Sequence, residues 1–189
     1  MKRVLSLASV FALAASAAFA QAPAMPAPQK ISLAQGLQNS YNNVKRNLTE
    51  MAAKMAEADY NFQPTKEVRT YGQLFGHVAN AQFGTCAALK GQANPNQGND
   101  NEKKTTKAEF VKALADSFAY CDAAFAALTD ANATEMIKQG QNEVSRGGSA
   151  ANLIAHSNEM YGTGVVYMRL KGLVPPSTER ATAMRRPGQ

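Results

Sequence analysis

Residues 149–176 read SAANLIAHSNEMYGTGVVYMRLKGLVPP, and this stretch decides the fold. Leu153, His156, Met160, Thr163, Tyr167 and Leu170 recur at spacings of three and four, which places them on one face of a helix. Gly172 suits the position just past a helix end, and Pro175 and Pro176 cannot continue the helix. A histidine and a methionine therefore stand on the face expected to be buried. The chain's only other histidine, His77, also falls on an apolar stripe: Leu74, His77, Ala81, Thr85 and Ala88, flanked by Val78 and Leu89.

Two more stripes lie upstream. Leu33, Leu37, Tyr41, Val44, Leu48, Met51 and Met55 keep helical spacing, as do Leu114, Phe118, Cys121, Phe125 and Leu128. Ser32 with Gln35, Thr70 with Gln73 and Thr106 with Glu109 form capping-box patterns that start the first three helices. Between the first two helices, residues 59–69 (DYNFQPTKEVR) break the pattern around Pro64, with Tyr60 and Phe62 expected to fold back on the helices. The loop GQANPNQGNDNEKKTT, starting at Gly91, is a crossover or a mobile excursion. Residues 130–148 are weakly patterned and predict a short extra helical turn before the fourth helix. Strand signals are nearly absent. Four one-faced helices pack most simply as an all-α four-helix bundle over residues 31–174, leaving 175–189 as a flexible basic tail.

The first twenty residues stand apart. Lys2 and Arg3, an apolar run from Val4 to Ala15, and Ala18-Phe19-Ala20 read as a secretory signal peptide cut after Ala20. A Pro/Ala-rich leader, 21–30, follows. The mature chain is expected in the periplasm or outside the cell, with no stable membrane anchor. Without Lys2 and Arg3, the 20 basic residues fall to 18 against 14 acidic ones, a net charge of +4. That excess sits in one loop and the tail with no aromatic residues between, which argues against a nucleic-acid partner. In an oxidising compartment Cys86 and Cys121 are a candidate disulfide; two small buried thiols are the alternative. No phosphate loop or Gly-x-Ser-x-Gly elbow is present.

Helical bundles build metal sites from inward side chains on facing helices. His77 and His156, with Met160 one turn on and Glu159 to one side, are the constellation that could carry chemistry, a bound ion lowering the pKa of water or a thiol. Core histidines that merely complete hydrogen bonds are the commoner occurrence.

At these residues the chain resembles the DinB-like superfamily of four-helix-bundle proteins. The resemblance rests on YNFQPTKEVRTYGQLFGHVAN, on SFAYCDAAFAALTDA and on AHSNEMYGTGVVYMRLKGLVPPS, and spans roughly Ile31 to Ser177. It implies a divalent metal site of three histidines, matching His77, His156 and the position held here by Met160, and activity as a metal-dependent hydrolase or thiol transferase. It also allows a homodimer. A thioether is a poor donor for zinc, manganese or nickel. Three outcomes follow: a degenerate, metal-free site; a weaker site completed by Glu159 or water; or a copper site of His77, His156 and Met160. Against the enzyme stands a non-catalytic bundle that binds an unknown small molecule or a protein partner.

Overall fold

A hydroxyl side chain sets the start of each long helix. Ser32 accepts from the Gln35 amide at the head of α1 (Leu33–Lys54), and Ser145 from the Gly148 amide at the head of α4 (Arg146–Leu170). Thr70 and Thr106 make full reciprocal capping boxes with Gln73 and Glu109 at α2 (Tyr71–Lys90) and α3 (Lys107–Ala126). Each cap contributes about 1 kcal/mol. Gly91, at φ 63°, ends α2 in a left-handed conformation that a side chain would strain. These features come from a computed structural model, which describes residues 28–186. The expected signal peptide and residues 21–27 of the leader lie outside the described residues.

From Ile31 onward the described residues form one unit. Both α1 and α2 pack against α3 and α4, so α1 and α2 occupy opposite corners of the bundle. The aromatic centre is Tyr60, Tyr71, Phe75, Phe110 and Phe118, all 1 % exposed or less. Tyr60 is buried as expected, its hydroxyl donating to the Ala52 carbonyl, and Phe62 packs edge-on against Tyr167 with ring centroids 6.0 Å apart.

The buried faces are rotated from the apolar count on α2 and α4. On α4 they run through Leu153, Ser157, Met160, Gly164, Tyr167 and Met168, while Leu170 is 59 % exposed. Gly164 belongs there because a Cβ would stand 2.5 Å from Met51 Cε; its absence lets α4 close on α1. On α2 the buried face includes Phe75, Val78, Gln82, Cys86 and Leu89, whereas His77, Ala81 and Thr85 sit at its margin. His77 and His156 therefore lie on the edges of their helices, not in the core.

Two segments differ from expectation, the link between α3 and α4 and the tail. The helical turn expected between α3 and α4 is a single turn closed by the Ala133 amide on the Thr129 carbonyl. An antiparallel hairpin follows it, β1 (Met136–Gln139) pairing with β2 (Asn142–Ser145). Gly140, first of the two turn residues, takes φ 63°, the hairpin geometry that glycine permits. The hairpin is tied to the bundle through the Gln139 amide, which reaches Thr85 on α2 and Ser149 on α4. The tail is not flexible throughout: Pro176–Arg185 form a helix, α5. Gly172, at φ 73°, has already closed α4 after Leu170, and Pro176 is suited to the first turn of a new helix, where its missing N–H costs nothing. Ion pairs Lys54–Glu179 and Arg180–Glu50 dock α5 on α1, and the Tyr161 hydroxyl donates to Ser177 at 2.9 Å.

The long loop is a crossover laid against α2. Asn80 is its anchor, its side-chain oxygen accepting from the Asn101 amide at 3.0 Å and the Asn101 side chain at 2.9 Å. Gly76 permits the contact, since a Cβ there would stand 2.4 Å from the Asn101 carbonyl oxygen. Backbone cannot move aside as a side-chain tip can. Gly76→Ala is expected to cost about 1–3 kcal/mol, read as a lower urea midpoint.

Candidate functional site

Asn80 sits one turn beyond His77 on α2, so the loop it holds delivers residue 102 to His77. Asp100 completes the arrangement by accepting from the Glu102 amide at 3.0 Å. The Glu102 carboxylate then meets His77 Nδ1 at 2.6 Å and Arg69 Nε at 2.8 Å. A carboxylate only accepts, so Nδ1 of His77 donates, and Nε2 is the ring nitrogen that Glu102 does not engage. His156 arrives from α4, its ring centroid 4.9 Å from that of His77 and inclined by 67°. Each imidazole is about a quarter exposed.

Beside this pair opens a cleft of about 510 Å³. Glu67, Arg69 and Glu102 are its charged lining, Val68, Leu74, Met160 and Tyr167 its mainly apolar lining, with Gln73 and Thr163 among them. The Tyr167 hydroxyl donates to the Arg69 carbonyl at 2.9 Å, fixing the segment that carries the guanidinium. The expected residues are thus brought together unequally. His77 and His156 meet; Met160 lies a turn along α4 and lines the cleft. Glu159 stays largely in solvent, its carboxylate 3.8 Å from His156 Nδ1. Arg69 and Glu102 are the site residues that sequence reading missed. Arg69 lies inside a motif already singled out, but nothing local in the loop sequence aims Glu102 at His77. Cys86 and Cys121 are joined as a disulfide, with Cα atoms 5.3 Å apart and both side chains fully buried.

Burial depresses the pKa of His156 below its usual 6.5, and the charges of His77 and Arg69 add to the effect while Glu159 opposes it. The folded protein therefore holds His156 neutral where the unfolded chain begins to protonate it. The unfolded state binds more protons in that window, so stability is fully present above about pH 6.5 and is lost as pH falls through the folded value. Urea midpoints of metal-free protein at pH 7.5 and pH 5 are expected to show this loss, and His156→Gln to reduce it.

The donor set can be weighed against the ion that the resemblance implies. Two imidazole nitrogens are available, the position one turn beyond His156 offers a thioether, and Glu102 is committed to His77 and Arg69. Among the described residues no three His, Cys, Asp or Glu side chains form a metal-holding group. A catalytic zinc takes three protein nitrogen, oxygen or sulfur-anion donors, and nickel or manganese is no better served by a thioether. The residues present do not fit such an ion.

Residues 41–163 match the family description of the DinB superfamily, which spans α1 from Tyr41 through both histidines and Met160. The chain belongs to the DinB superfamily. A DinB-like protein from Bacillus cereus shares its fold at a TM-score of 0.64 and 17 % identity, covering 75 % of this chain and 95 % of that one. A conserved protein from Enterococcus faecalis is similar at a TM-score of 0.61 and 17 % identity, over 75 % and 98 % of the two chains. A search of curated proteins found no match. At this identity the likeness concerns the DinB fold alone.

Proposed function

We propose that this chain is an exported DinB-superfamily protein whose metal-dependent chemistry has lapsed and which binds a small molecule in the cleft beside His77 and His156. One observation carries the reading: Met160 lines the cleft one turn beyond His156, where the family resemblance implies a third histidine, and the nearest carboxylate is already spent on His77 and Arg69. The cleft offers a ligand apolar contacts from Leu74, Met160 and Tyr167 together with Glu67 and the Arg69–Glu102 ion pair. Its volume lies within the usual range of small-molecule sites. Neither histidine lines the cleft itself; His77 is linked to it through Glu102, which lines the cleft and meets His77 Nδ1.

A second reading keeps a weak metal site. It is favoured by the His77–Glu102 contact, because imidazoles that bind metals usually donate their other N–H to such a carboxylate. Elemental analysis of the purified protein after metal-free dialysis separates the two. The proposal expects far less than one equivalent of zinc, nickel, manganese or copper. A full equivalent of any of them overturns it.

A further inference from the structure

A second cleft, of about 620 Å³, opens at the other end of α2, between its last turns and the β1–β2 hairpin. Three cations line it: Lys90 from α2, Lys138 from β1 and Arg146 from the start of α4, with no carboxylate among the lining residues. Two of the cations have identifiable structural work. Lys90 lies 3.7 Å over the Tyr120 ring, and Arg146 donates to the Leu89 carbonyl and pairs with Glu135. Yet Nε of Arg146 is buried with no hydrogen-bond partner. Lys138 makes no ion pair among the described residues, although Glu143 is its cross-strand neighbour in the ladder. Ile137 and Ala88 supply an apolar patch beside these charges.

Gly84 gives an independent pointer. It is an exposed glycine in the interior of α2, where glycine costs a helix stability relative to alanine. Packing does not require it: a Cβ would meet only the Asn94 side-chain nitrogen, at an ordinary 3.9 Å. Gly84 lines this cleft, so what its missing side chain preserves is open space.

We propose that this cleft binds a small organic carboxylate, its anionic head held by Lys138, Lys90 and Arg146 and its compact apolar body laid on Ile137 and Ala88 toward Gly84. The site is separate from the histidine pair and does not depend on how that pair is read. The test is a titration of isotope-labelled protein with benzoate, followed by amide NMR, with benzylamine as the control of opposite charge. Benzoate is expected to give saturable shifts at the Gly84, Gly91 and Gly140 amides, and benzylamine none there. Lys138→Glu is expected to weaken benzoate binding about tenfold or more, the equivalent of one lost charge-assisted hydrogen bond. Gly84→Leu is expected to abolish binding without lowering the melting temperature, and it decides the matter if the Lys138 variant folds poorly. Absence of saturable shifts, equal shifts with benzylamine, or unaltered binding by both variants overturns the proposal.

Discussion

Reducing the Cys86–Cys121 bond lowers the melting temperature by roughly 10 °C. The bond closes a loop of 35 residues between α2 and α3, and in the chain-entropy account such a closure contributes about 3–4 kcal/mol by restricting the unfolded chain. For a chain of this size each kcal/mol moves the midpoint by about 2–4 °C. Both sulfurs are buried, so reductant must act through opening of the α2–α3 contact, and reduction of the native protein is expected to be slow. The comparison is best made between oxidised protein and protein unfolded, reduced and refolded under reductant. Thiol titration of unfolded, unreduced protein should find none free; two free thiols would contradict the bond and its contribution together.

The geometry of that bond illustrates what the sequence could and could not convey. The apolar stripe read on α2 ran through Thr85 and left Cys86 out; Cys86 is in fact on the buried face. The error has a physical source. Gln82 on α2, and Ser157 and Gly164 on α4, are core positions occupied by residues that no hydrophobicity count includes. Gln82 and Ser157 approach each other across the two helices at 3.4 Å, and Gly164 makes room for Met51. Removing those three from the count rotates the apparent stripe toward His77 and His156. Helix starts were legible because capping is local, and Thr70–Gln73 and Thr106–Glu109 are as the sequence implied. The hairpin was not, because its strands are four residues long and its only matched apolar pair is Ile137 opposite Val144. Nor was Glu102, whose approach to His77 depends on Asn80 holding a loop more than twenty residues away. The meeting of His77 with His156 was legible, since it needed only the helices to face one another.

Met160→His is expected to respond to metal more strongly than the natural chain. Residues 156 and 160 are one turn apart on α4, so imidazoles at both can reach one ion, and Glu102 already fixes the His77 ring through Nδ1. The variant then has three nitrogens with open positions for water, the donor set of a catalytic zinc. Without metal it should be less stable than the natural chain, because Met160 is only 8 % exposed and the new imidazole would be buried without a guaranteed partner. With zinc present at a hundredfold its dissociation constant, linkage returns about 2.7 kcal/mol, roughly 5–10 °C in melting temperature. The central claim, that residue 160 is what separates this site from a working metal centre, is tested most directly by four thermal melts: natural chain and Met160→His, each with chelator and with zinc. The account predicts a zinc-dependent rise in the variant and little or none in the natural chain. A larger rise in the natural chain, or no rise in either protein, would contradict it.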